Sequence, residues 1–221
     1  MSPVIVTVDG PSGSGKSSVS RGVAIKFHYE YLDTGAMYRA VTWWALQNNI
    51  SPENIAGRLE DCAIISGADP VSPFITVNGQ NVTEDIRSPE VTAAVSQYSA
   101  VPEVRAAMVK QQREDAGQAG AGLVAEGRDL GTVVFPDATL KIYLTADVAA
   151  RAQRRAAENA QRGHDDDVDN THESLSQRDA ADSTRDVSPL QAADDAVHID
   201  ATNMTLNEVI DKVTELILER N

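Results

Sequence analysis

Residues 9–18, DGPSGSGKSS, place three glycines, a lysine and four serines within ten positions. Gly10, Gly15, Lys16 and Ser17 fit GxxxxGK[ST], with Pro11, Ser12, Gly13 and Ser14 filling the loop and Ser18 following it. In such a P-loop the glycines let successive backbone N–H groups converge on nucleotide phosphate oxygens, and the following helix adds its positive end. Lys16 would reach the β- and γ-phosphates of ATP, and the Ser17 hydroxyl would bind Mg²⁺. This is a cradle for a phosphate; it does not say whether the phosphate is read or moved.

The second group of chemical residues is arginine. The chain has 14 arginines against 5 lysines, within a net charge of −14. A guanidinium is a planar fork matched to phosphate and carboxylate oxygens. GC-rich coding would give the same skew, so position has to decide. Arg151, Arg154 and Arg155 are spaced i, i+3, i+4 and share one face of a helix. They read as a lid closing over a transferring phosphoryl group, or as a solvated basic face balanced by the following HDDD. Arg178, Asp182 and Arg185 share a face of the next helix, either as an ion-pair ladder or as a site for a sugar hydroxyl and a phosphate. In AEGRDLGT a buried strand delivers Glu126, Arg128 and Asp129 to its C-terminal end, where open α/β sheets hold ligands and where Glu126 could orient Mg²⁺ through water.

These groups need a scaffold, and the hydrophobic pattern supplies one. PVIVTV (3–8), GLVAE (122–126), LKIYLTA (140–146) and AVHID (196–200) read as buried parallel strands, with a short strand at YEYL (29–32). Helices are expected over 16–27, over 34–49 with Thr34 as cap, over 88–100 and 102–117, over 147–162 and 170–185, and over 205–220. Between 147–162 and 170–185 lies the acidic loop GHDDDVDN. SPENIAGRLEDCAII reads as a further helix, and PFITVNGQNVTEDI as a hairpin turning at Asn78-Gly79. The expected fold class is α/β, P-loop type: one domain with a central parallel sheet flanked by helices. An insertion spans about 34–118 and carries the hairpin; an arginine-rich lid spans about 151–186.

Composition narrows the function. The acidic balance argues against a nucleic acid polymer or an anionic membrane as partner. No apolar run is long enough for a membrane span, and the N-terminus lacks the basic and apolar segments of a signal peptide, so the expected location is the cytoplasm. One cysteine, Cys62, forms no internal disulfide, and the four histidines have no ligand spacing. No [NT]KxD guanine-reading motif is present, which speaks against a GTPase switch. Trp43-Trp44 reads as a helical pair with one ring turned inward.

DGPSGSGKSS, LDTGAMYRA, VSQYSAVPEVR, EGRDLGTVVFPDA and RDAADSTRDVSPL, in this order, together resemble bacterial cytidylate kinases over most of the chain. The resemblance implies transfer of the γ-phosphoryl group of ATP to CMP or dCMP by a monomeric enzyme using Mg²⁺. It further implies that Ser96, Arg105 and Asp129 read the cytosine edge. Arg39, Arg128 and Arg185, with Thr34 and Tyr38, would hold the acceptor phosphate, and Arg178 and Asp182 the sugar. Lys16, Arg128, Arg185 and the lid residues Arg154 and Arg155 would surround the transferring group. A kinase for UMP or for a non-nucleotide acceptor, and a P-loop NTPase switch, are the alternatives.

Overall fold

The computed structural model describes residues 3–161 and 168–220. Arg162, His164 and the Asp165–Asp167 run therefore lie outside the described residues.

Strand β1 (Val4–Asp9) is a β-branched run whose last four residues are buried, the pattern of a strand covered on both faces. It pairs in parallel with β6 (Gly122–Gly127) on one side and β7 (Leu140–Thr145) on the other. β2 (Glu30–Asp33) extends the sheet beyond β6, and β8 (Val197–Asp200) beyond β7, so the order is β2-β6-β1-β7-β8. Alternation sends Val6, Val8 and Val124 to one face, against α1 (Lys16–Phe27) and α7 (Leu206–Leu218). Leu123 and Ala125 go to the other face, against α2 (Thr34–Gln47) and α4 (Pro102–Gln118). α3 (Pro89–Ser99) packs on α2, while α5 (Val148–Gln161) and α6 (Val168–Thr184) pack on each other.

The insertion departs from expectation in one place. SPENIAGRLEDCAII forms two short 3₁₀ turns, Pro52–Asn54 and Ala56–Asp61, and then strand β3 (Ile64–Ser66). Asn78 explains part of this: its side chain accepts from Ala63 N at 2.9 Å and donates to Asp61 O at 2.9 Å, taking over backbone groups that a helix would have used. β3 pairs antiparallel with β4 (Ile75–Val77), which pairs with β5 (Gln80–Asn81). The Asn78-Gly79 turn has φ of 51° and 83°, both positive as a tight hairpin turn demands.

A second correction concerns the start of α2. Asp33 rather than Thr34 is the cap, its Oδ1 accepting from Ala36 N at 2.8 Å. Thr34 is the first helical residue, and its hydroxyl donates to Glu126 O at 2.7 Å, tying α2 to the end of β6. Trp44 is buried while Trp43 packs at the margin of the core. Among the described residues no helix is long and apolar enough to cross a membrane.

Leu144→Ala, at a fully buried position, should cost about 2–5 kcal/mol in urea unfolding. Ile65→Ala, at a residue 60% exposed on the small sheet, should stay within about 0.5 kcal/mol of the parent.

Candidate active site

The strands end together at one edge of the sheet, and the chemistry gathers there. β1 runs into the cradle loop, whose glycines have the backbone that only glycine adopts freely: φ is 147° at Gly10 and 93° at Gly15. A Cβ on Gly10 would lie 2.0 Å from Leu144 O, so that position is closed to any side chain. Lys16 folds across the loop and donates to Pro11 O at 2.6 Å. Burial, with Arg128 nearby, pushes its ammonium down to about 7. Ser17 Oγ donates to Glu126 Oε2 at 2.9 Å, and Tyr31 OH donates to Glu126 Oε1. Burial foremost, then the charge of Asp33, raises the Glu126 carboxyl above the usual range. A hydroxyl beside a carboxylate, both at the mouth of the cradle, is a hard-oxygen donor set that fits Mg²⁺ held mostly by phosphate oxygens.

Beside the cradle lies a cavity of about 470 Å³. Among the described residues nine basic side chains line it, Lys16 and eight arginines, against four carboxylates. In a chain of net charge −14, this concentration marks a site for anions. Ser12, Gly13, Gly15, Lys16, Ser17 and Ser18 face it from the donor side. Thr34, Tyr38, Arg39, Ser96, Arg105, Arg128, Asp129, Arg178, Asp182 and Arg185 face it from the other. Gly10, Pro11 and Ser14 of the cradle loop do not line the cavity; among the described residues the buried Ser14 hydroxyl has no hydrogen-bond partner.

Within the cavity, guanidinium and carboxylate alternate. Arg105 holds Asp129 at 2.5 Å, Asp129 faces Arg185 at 3.7 Å, Arg185 faces Asp182 at 3.6 Å, and Asp182 holds Arg128 at 3.0 Å. Arg105 also donates to Ser99 O at 3.2 Å and stacks its guanidinium 5.2 Å from the Tyr38 ring centre, while its Nε is buried without a hydrogen-bond partner. Arg39 donates to Ile86 O at 3.1 Å and Thr92 Oγ1 at 2.9 Å. Burial, reinforced by neighbouring arginines, lowers Arg39 and Arg185 and brings Arg178 down to about 10. Cations destabilised in this way gain most from a bound anion.

The three arginines of α5 do not act together. Arg155 lines the cavity. Arg154 turns the other way and donates to Ala201 O at 2.7 Å. Arg151 is buried in a clamp: it pairs with Asp179 at 2.5 Å and donates to Ser12 O at 2.9 Å, while Asp179 accepts from Ser12 N at 3.0 Å. The backbone N–H and C=O of Ser12 in the cradle are thus held by side chains from α6 and α5.

Sequence reasoning missed several members of the site. Arg87, from the insertion, lines the cavity and pairs with Asp33 at 3.0 Å. Tyr31 and Arg21 also face the cavity, while Asp179 holds the cradle from outside it. Asp33 could have been found from its place just before a helix; Arg87 sits in a stretch with no motif to mark it.

A cavity lined by a P-loop and an arginine-carboxylate network, at the end of a parallel sheet in this order, defines the P-loop kinase fold. The family model for cytidylate kinase matches residues 6–219, and the chain belongs to that family. A cytidylate kinase of Streptomyces griseus is 52% identical over 98% of this chain and 93% of its own length. One from Streptomyces avermitilis is 53% identical over 98% and 94%. A solved structure from Thermus thermophilus, TT1252, shares the fold at 20% identity, with a TM-score of 0.51 over 99% of this chain and 98% of its own.

Arg151→Ala would remove the buried guanidinium that pairs with Asp179 and donates to Ser12 O. It should destabilise the fold by about 3–5 kcal/mol in denaturant titration, whereas Arg154→Ala should cost under about 1 kcal/mol.

Proposed function

We propose that this protein transfers the γ-phosphoryl group of ATP to CMP or dCMP, forming ADP and CDP or dCDP. The observation that carries this reading is the buried Arg105–Asp129 pair, which faces the same cavity as the ATP cradle. Cytosine presents an exocyclic amino donor beside the N3 and O2 acceptors. A carboxylate to accept and a guanidinium to donate complement that edge, with the Ser96 hydroxyl nearby. Uracil would set its O4 against the carboxylate, and a buried polar mismatch discriminates strongly. Asp129 is therefore a specificity residue; an anionic phosphate nucleophile needs no general base.

The remaining roles follow from where charge must be held. Arg39, Arg128 and Arg185, with Thr34 and Tyr38, bind the acceptor phosphate, and Arg178 and Asp182 the sugar. Donor and acceptor phosphates repel each other, and these cations hold them for in-line transfer. Arg155 already faces the transfer point; Arg154 must leave Ala201 to join it. Ser17, with Glu126 acting through water, would hold Mg²⁺, which would supply charge neutralisation to the phosphate oxygens. In this reading residues 34–118 form the acceptor side and 151–186 the lid of a cytoplasmic monomer.

Asp129→Ala and Arg105→Ala should each cut kcat/KM for CMP by about 100-fold or more while binding of an ATP analogue changes little. Retention of wild-type CMP kinetics in both would remove the base-reading assignment. Lys16 offers a second test. Its ammonium titrates near 7 in the free protein, and phosphate oxygens favour its charged form. At pH 8 the free lysine is mostly neutral, so binding Mg-ATP must take up a proton. Calorimetry in buffers of different ionisation enthalpy should show that uptake, and Lys16→Arg should abolish it.

A further inference from the structure

Asp9 is the last residue of the central strand, immediately before Gly10 of the cradle. It is 4% exposed, and no role in phosphate binding accounts for it. Its carboxylate reaches the loop that leaves β6, and the charges acting on it are those of Asp129 and the cradle's Lys16. Oδ1 accepts from Leu130 N at 3.0 Å and Oδ2 from Gly131 N at 2.8 Å. Those two amides open a single π-type turn, Leu130–Val134, and the residue just before it is Asp129. The turn closes back on the same residue: Asp129 O accepts from Val133 N at 2.8 Å and from Thr132 Oγ1 at 3.2 Å.

Burying a carboxylate is costly, and Asp9 shows it: burial pushes its carboxyl up to about 6 even against the two amide bonds. A site that tolerates this cost is held for a purpose, and the geometry identifies it. The two N–H groups need a bidentate acceptor, and a carboxylate is the only side chain with two acceptor oxygens and no donor. Asparagine would point its NH₂ at one of the amides.

We infer that Asp9 is a positioning residue for acceptor specificity, fixing the Leu130–Gly131 turn so that Asp129 meets both Arg105 and the base. This rests on the cytosine-reading role given above to Asp129. One carboxylate then sets the acceptor reader from the strand that carries the donor cradle.

The test is discrimination rather than rate alone. In Asp9→Asn, the ratio of kcat/KM for CMP to that for UMP should fall by about ten-fold or more, while KM for ATP moves less than about three-fold. In an Asp129→Ala background the same change should leave the ratio where Asp129→Ala alone puts it, because Asp9 acts through Asp129. Asp9→Glu keeps both acceptor oxygens but shifts them by one methylene; it should give an intermediate ratio, and it carries the test if the asparagine variant does not fold. A wild-type CMP/UMP ratio in the folded Asp9 variants, or equal losses for ATP and CMP, would overturn the inference. If Asp129→Ala itself keeps the wild-type ratio, the base-reading assignment fails first; if it collapses the ratio while Asp9 variants do not, only the role of Asp9 falls.

Discussion

Everything in this molecule's site depends on keeping guanidinium groups close together out of water. The chain Arg105–Asp129–Arg185–Asp182–Arg128 does so by alternation, each carboxylate shared by two cations. These residues come from α4, from the loop after β6 and from the end of α6, so the network draws separate parts of the chain into one wall. Among the described residues, nine basic side chains against four carboxylates line the cavity, a surplus that favours a bound anion. Buried ion pairs add little net stability against apolar replacements. Their value here lies in a preorganised charge pattern on the cavity wall.

The parallel sheet makes this pattern possible. With β1 between β6 and β7, the cradle after Asp9, the Glu126–Asp129 segment and the base of α5 all emerge at the same edge. Cross-ties then fix their relative positions. Ser17 reaches Glu126, Thr34 reaches the Glu126 carbonyl, and Arg151 with Asp179 grips the Ser12 backbone. The cradle, the segment after β6 and the helices α2, α5 and α6 are thereby tied to common backbone segments, which holds the cavity wall in place although it is dense with charge.

Much of this was legible in sequence, for reasons that differ by element. The sheet strands showed as β-branched or apolar runs, and α1 falls over Lys16–Phe27 as its spacing indicates. The cradle was readable because glycine, lysine and serine at those intervals have few other uses. Residues 52–61 were misread because their apolar spacing suggests a helix, whereas side-chain bonds from Asn78 recruit the nearby backbone. The arginines of α5 share a face on a helical wheel, yet Arg151 finds Asp179 and Arg154 finds Ala201. Pairing across distant segments, like that of Arg87 with Asp33, leaves no local mark in a sequence.

The most direct test is the initial rate of ADP formation from Mg-ATP with CMP, dCMP, UMP, AMP, dTMP or no acceptor, each at equal concentration. The account predicts strong turnover confined to CMP and dCMP. Equal use of UMP would contradict the reading of cytosine by Ser96, Arg105 and Asp129, and turnover without any acceptor would contradict the assignment of the arginine-lined cavity as a second substrate site.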